Sequence, residues 1–494
     1  MKLHSSLLAV AAGLVIMTGS ATASPQSMSF EEARVLLARA GFDPRDDEVK
    51  PYVGMAQADA ARKLVTEASK APLVKPESLL AEGLITPAQR KGQTREQHLL
   101  YRQTDNRQIN DLRNWWLQQM VQTPTPLTER MVLFWHGHFA NSNQKVKSAQ
   151  WMALQQIDIR RNALGDFRTL LADVAKSPSM MVYLDVAGSR KQAANENFAR
   201  EVMELFTLGE GHYSEQDIKQ AAKAFTGWSI DPQTGMYVFK ASLHDDSVKT
   251  IFGKSGNYTG DDVLKLLLEQ PDAARFIVGK LWREFVSPTP DSKEVERIAS
   301  HFRTSNYSIA TAVTDLLSLP ILIAPENRGS LVKSPIDLTV GAVRRFDIKV
   351  TDFSPIGYAS AVFGQNLFAP PNVKGWPGNE DWINASSLLA RKQFLVRLLS
   401  GVPQKPVVRE DLQGKMRLVG ARLNTMGDSD TVVWDSNAWL TRIGVPPGKT
   451  LMGPERSKVE LAVLSIAPIS QPDSSLDGAS MVRALSQDPA FQVK

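Results

Sequence analysis

The sequence predicts a mainly α fold, a multi-helix globular bundle with one short β-hairpin excursion. Three observations predict it. Apolar residues recur at helical spacing in one segment after another. Ser and Thr at the starts of those segments, and Gly and Pro at their ends, punctuate them as helix caps and stops do. Only residues 235–253 show the aromatic and β-branched clustering of strands, in Tyr237-Val238-Phe239 and again in Val248, Thr250, Ile251 and Phe252.

The first helices fall within 28–73, where Ser29 opens a capped helix and Gly41-Phe-Asp-Pro breaks it. A long helix runs over 94–121 and stops at Thr123-Pro-Thr-Pro. Helices follow over 128–140, with Thr128 as cap, and over 146–163, 166–176, 196–208 and 214–226. The last two form an αα-hairpin around Gly209, read as a left-handed cap, with Ser214 and Asp217 as a capping box. Phe198, Val202, Phe206, Ile218 and Phe225 form its buried stripe. Helical periodicity returns at 261–286, 291–304, 307–319 and 334–346, the last opened by Ser334-Pro335. Residues 370–386 and 466–478 read as loops, and a terminal helix follows the second.

Composition bounds the function. At 43% hydrophobic and 22% charged, the 494-residue chain is globular rather than disordered. It has no cysteine, which excludes disulfide frameworks, thiolate zinc sites, iron–sulfur clusters and cysteine nucleophiles. The net charge is +5, with acidic and basic residues interspersed and no dense Lys/Arg run, so no nucleic-acid partner is expected. Residues 1–23 read as a signal peptide: Lys2, an apolar stretch from Leu7 to Met17, then Ala21 and Ala23 before a cut at Ser24. The mature chain has no uninterrupted 18-residue apolar run, so no transmembrane segment is expected, and the location is a bacterial periplasm or exterior. There is no G-x-S-x-G elbow, no phosphate-binding glycine loop and no H-E-x-x-H helix.

Four places carry residues suited to chemistry. His136 and His138 lie two apart in an aromatic helix, about 200° around it, so both cannot face one metal ion if the helix is regular. The structural alternative is a pair of hydrogen-bonded histidines. Glu201 and Glu204 lie one turn apart beside the buried stripe, in line with Asn197, and suit acid/base work or a cation when half-buried. His244 with Asp245 and Asp246 offers a loop cluster for zinc or manganese, or an ordinary acidic turn. Residues 370–386 set Trp376 and Trp382 among Pro, Gly and Asn, a composition that stacks on sugars or pins a loop to the core.

LFWHGHF (133–139), NENFAREVMELFTLGEGHYSEQD (195–217), AAKAFTGW (221–228), HDDSVKTIFG (244–253) and PPNVKGWPG (370–378) occur in that order. Together they closely resemble the bacterial family called domain of unknown function 1800, from about residue 28 to the C-terminal DPAFQ. The resemblance implies an exported, helical protein in which 24–494 form one family unit. It also implies a neighbouring partner, a sulfatase-like product of unknown-function family 1501. It brings no settled activity and no catalytic residues. Val202 stands where leucine is more usual.

The expectation that follows is a hydrolase-like enzyme with a carboxylate–histidine centre acting on an extracytoplasmic glycan. Glu201, Glu204 and His138 would be catalytic. Trp228, Trp376, Trp382 and Asn197 would bind substrate. His136, His138, Glu201, His244 and Asp245 would supply ligands for a divalent metal. The alternative is a non-catalytic binding or assembly partner of the sulfatase-like protein.

Overall fold

The computed structural model describes residues 27–400 and 432–494, so the signal-peptide stretch lies outside the described residues. The chain is 61% helical. The helices of eight or more residues are α1 (Phe30–Ala40), α2 (Gln57–Ser69), α3 (Arg95–Gln122), α4 (Pro126–His138), α5 (Ala149–Asn162), α6 (Phe167–Ala175), α7 (Glu196–Met203), α8 (Glu215–Ala224) and α9 (Gly260–Glu269). They continue with α10 (Pro271–Phe285), α11 (Ser292–Thr304), α12 (Ile309–Leu317), α13 (Pro335–Arg345), α14 (Ser354–Val362), α15 (Ala385–Leu398), α16 (Gly453–Val463) and α17 (Gly478–Ser486). No helix among the described residues is long and apolar enough to cross a membrane.

The caps form where the sequence places them. Ser29 and Glu32, Ser214 and Asp217, and Ser334 and Asp337 exchange side-chain and backbone hydrogen bonds as capping boxes. Thr128 is not a cap. The helix starts two residues earlier, at Pro126, which favours the first turn, and the Thr128 hydroxyl donates to Ala68 O at 3.3 Å. The segment 261–286 is two helices, because Pro271 starts α10 and cannot continue α9.

The β excursion is not one hairpin. Tyr237–Phe239 pairs with Trp228–Ile230, and Lys249–Ile251 pairs with Lys254–Gly256 through a turn in which Phe252 and Gly253 both have positive φ. Each run found a closer partner than the other. A third ribbon joins Lys349–Val350 to Val432–Val433.

The αα-hairpin of α7 and α8 buries Phe198, Val202, Phe206, Ile218 and Phe225 as the wheel predicts. Its first helix ends differently. Glu204–Leu208 form a π turn, and Gly209 has φ 80° and ψ 169°, which is not left-handed helical geometry. Arg200 crosses the hairpin to Glu215 with two hydrogen bonds of 2.7 and 2.8 Å, rather than pairing with Glu196 along its own helix. Apolar residues from Met28 to Phe491 form one contiguous buried cluster. The last residues pair with the segment before α13: Lys333 N–H donates to Gln492 O and Lys494 N–H to Leu331 O, each at 2.8 Å.

Candidate functional site

Helix α4 presents its two histidines to different surroundings. His136 is buried among Trp116, Phe368 and Trp376, whose ring centres lie 5.0, 4.8 and 5.5 Å away. Its Nε2 accepts the Phe368 backbone N–H at 3.2 Å, so the ring proton sits on Nδ1. Burial pushes its pKa down to about 3 and keeps it neutral. With Nε2 occupied and an aromatic wall around it, His136 is a structural residue.

His138 emerges on the other side. A carbonyl only accepts, so His138 Nε2–H donates to Phe206 O at 3.2 Å. Its Nδ1 faces Lys280 Nζ of α10 at 3.1 Å and accepts from that ammonium. Phe206 lies in the π turn against which α10 packs, so the turn, α4 and α10 meet at this imidazole. Burial and the Lys280 charge hold the pKa of His138 well below its ordinary value. Burial, then the charge of Arg283, lowers that of Lys280 to about 8.

These groups line a cleft of about 470 Å³. Phe134, Trp376 and Trp382 give it aromatic walls, and Lys280, Arg283 and Lys374 give it charge. The loop carrying Trp376 docks on α4 backbone to backbone. Gly375 has φ 86°, and a Cβ there would stand 2.5 Å from Gly137 O, so position 375 requires glycine, whereas a Cβ at Gly137 would meet only Trp376, at 4.0 Å. Trp376 keeps a buried indole N–H without an acceptor. Lys374 is held by Glu210 at 3.2 Å. Lys280 and Arg283, one turn apart on α10, have no carboxylate partner among the described residues. Deeper in the same cleft, Arg130 is paired with Glu284 and Asp337, and Lys494 Nζ lies 2.9 Å from Asp337.

A larger groove, of about 1230 Å³, opens between α6, α9 and α11. Arg168 pairs there with Asp166 and Arg275 with Glu296, while Arg303 donates to Glu269 O. Among the described residues Tyr307 is the aromatic side chain on its wall, so it lacks the facing rings that line the cleft beside His138.

Of the residues expected to act together, His138, Trp376 and Trp382 do share the cleft. The others do not. Trp228 is buried in the core against Phe198, Phe225 and Tyr237, and binds no substrate. Asn197 is exposed and lies outside the cleft wall. Glu201 and Glu204 stand beyond Lys374, whose charge reaches both. Burial, then Glu204, raises the pKa of Glu201, while Glu204 accepts a 2.6 Å hydrogen bond from the Tyr213 hydroxyl. No carboxylate hydrogen-bonds His138 among the described residues, so Glu201, Glu204 and His138 form no carboxylate–histidine centre.

The expected metal set is not assembled either. His244 is buried and bonds Thr226 O through Nδ1 at 2.9 Å, and Asp245 accepts from Ser247 N–H at 2.9 Å in an Asx turn. Among the described residues no three His, Asp or Glu side chains come together as metal ligands, so His136, His138, Glu201, His244 and Asp245 are five separate structural settings.

Sequence reasoning missed Lys280, Arg283 and Lys374. The signal was present in α10, where Lys280 interrupts the apolar run Phe276-Ile-Val-Gly and Arg283 follows at i+3.

Fold and cleft thus define a mainly helical protein with a ligand-sized pocket walled by aromatic and cationic side chains. The chain belongs to the family described as protein of unknown function (DUF1800), which matches residues 35–493. No curated protein and no solved structure matches it.

Proposed function

We propose that this chain is an exported bacterial protein that binds a saccharide in the cleft between α4, α10 and the 370–382 loop. The convergence of Trp376, Trp382 and Phe134 around the His138–Lys280 pair carries the reading. Flat aromatic faces stack on the apolar faces of sugar rings, and fixed polar groups beside them set orientation. The volume suits a ligand of one to a few rings. Hydrolysis by Glu201 or Glu204 with His138 gains no support, because the imidazole is engaged by Phe206 and Lys280. If the cleft has chemistry of its own, Lys280 is its proton-carrying group.

The test is calorimetric titration of the mature protein against an array of oligosaccharides. Binding should weaken at least about tenfold in Trp376→Ala, the loss of one stacked ring being worth roughly 1–3 kcal/mol. Absence of binding to every member at millimolar concentration, or binding unchanged in both Trp376→Ala and Trp382→Ala, would remove the saccharide reading.

A further inference from the structure

We infer that the saccharide bound in this cleft is acidic, and that Lys280 and Arg283 are the residues that select it. The inference rests on the saccharide reading above and adds the charge of the ligand.

The argument is an inventory of donors and acceptors. Lys280 contributes an ammonium that satisfies one of its three N–H groups on His138 Nδ1. Arg283 donates once, to Gly279 O at 3.2 Å, and leaves the rest of its guanidinium free. Trp376 adds a buried indole N–H with no acceptor. Against these donors the cleft holds two carboxylates: Asp337 is taken by Arg130 and Lys494, and Glu284 gives one oxygen to Arg130 and keeps the other. His138 has no acceptor to spare, since Nδ1 receives Lys280 and Nε2 donates to Phe206 O.

A ligand entering here therefore meets an excess of donors, with one Glu284 oxygen as the carboxylate acceptor left over. A neutral sugar hydroxyl brings one donor for each oxygen and leaves its own hydrogens unmatched. A carboxylate or sulfate group brings acceptors only, and its charge matches two cations set at i and i+3 on one face of α10. In the larger groove Arg168 and Arg275 each hold a carboxylate, and Arg303, which donates to a carbonyl as Arg283 does, stands there without a second free cation one turn away among the described residues. Lys374 stands on the opposite, loop side, held by Glu210, so the unpaired positive charge is concentrated on α10.

The experiment uses the mature chain and one glycan array. It carries neutral oligomers of glucose, galactose and N-acetylglucosamine, and acidic oligomers of galacturonate, glucuronate and sulfated galactose. The expected result is a preference of about tenfold or more for acidic members, with the uronate and sulfate arms telling which anion is taken. Lys280→Met and Arg283→Gln should each erase most of that preference, read as the ratio of acidic to neutral affinity within each variant. Arg283 is exposed, so Arg283→Gln keeps the test valid if Lys280→Met proves unstable in a melting curve. Equal or tighter binding of neutral members overturns this inference and leaves the saccharide reading intact. An acidic preference that survives both substitutions overturns the assignment to α10. An array with no binding at all overturns both readings together.

Discussion

The molecule keeps its positive charge in two different conditions. Under the cleft and elsewhere in the core, cations are buried and paired. Asp43 joins Lys333 at 2.8 Å and Arg345 at 2.9 Å, Asp337 joins Arg130 and Lys494, and Arg160 grips Glu129 with two nitrogens. On the wall of the cleft, Lys280 and Arg283 have no such partner. The difference separates charges that position the scaffold from charges left for something else. A buried pair carries desolvation costs on both members and holds only while both are present. An unpaired cation at a cleft has met half of that cost and lacks its counter-ion.

The largest expected effect lies in the paired region. Although burial pushes the Asp337 carboxyl up, Arg130 and Lys494 hold it well below the usual carboxylate range. Asp337→Ala leaves Lys494 buried without a partner and Arg130 with Glu284 alone, and should cost about 3–5 kcal/mol in chemical denaturation. A loss under about 1 kcal/mol would place Arg130 with the spare cations of the cleft instead.

Acid titration sharpens the comparison further. His136, at about 3 in the folded state against 6.5, is protonated first in the unfolded chain. The stability it contributes is full above pH 6.5 and falls as pH drops toward 3, by up to about 1.4 kcal/mol per pH unit. His138 adds to the same loss in the same direction. Asp43, which Arg345 and Lys333 pull down to about 2 against burial, contributes stability above 3.8 that is lost only below it. Denaturation followed by pH should therefore show a histidine phase before the carboxylate phase, and His136→Phe should shrink the first to the His138 share without moving the second.

Lys280 provides the next smaller effect. It faces His138 from α4 and Arg283 from its own helix, and is depressed to about 8 against 10.5. Between those values the unfolded chain holds the extra proton, so stability rises with pH across the window. Lys280→Met should abolish that rise and, because it removes a cation held at a desolvation cost below pH 8, leave stability at pH 7 equal to or above that of the wild-type protein. A variant that kept the rise would assign it to another group.

Glu201→Gln is the smallest. Its folded pKa lies above 4.5, so the wild-type protein loses stability as pH rises through that interval, whereas the variant does not. The variant should equal or slightly exceed wild type at pH 7, within about 0.5 kcal/mol. Complementation of a deletion strain by Glu201→Gln would agree with a pair outside the cleft, and its failure would return Glu201 to the functional residues.

Local signals carried the fold well. Capping boxes at Ser29, Ser214 and Ser334 and the stripe from Phe198 to Phe225 are written within one or two helical turns, and they formed as read. Strand pairing was less legible, because alternation shows that Tyr237 and Ile251 belong to strands and not which strands they meet. The site depended on distance along the chain. His138 and Lys280 are 142 positions apart, and the helical wheel fixes an angle without naming the neighbour across it. That is why Trp376 and Trp382 could be read from their loop alone, while Glu201 and Glu204 were credited with a partner that lies elsewhere.

The contact between Gly137 and Gly375 sets a rule for how this cleft can change over time. The loop meets α4 through main-chain atoms at Gly375, where an added methyl group would strike a carbonyl oxygen and no repacking of side chains can make room for it. Trp376 against His136 and Asn379, whose side chain accepts the Val332 N–H at 2.9 Å, are tied to the same frame. Lys374 is exposed and projects from it, so ligand preference can drift through that position while the architecture is inherited unaltered.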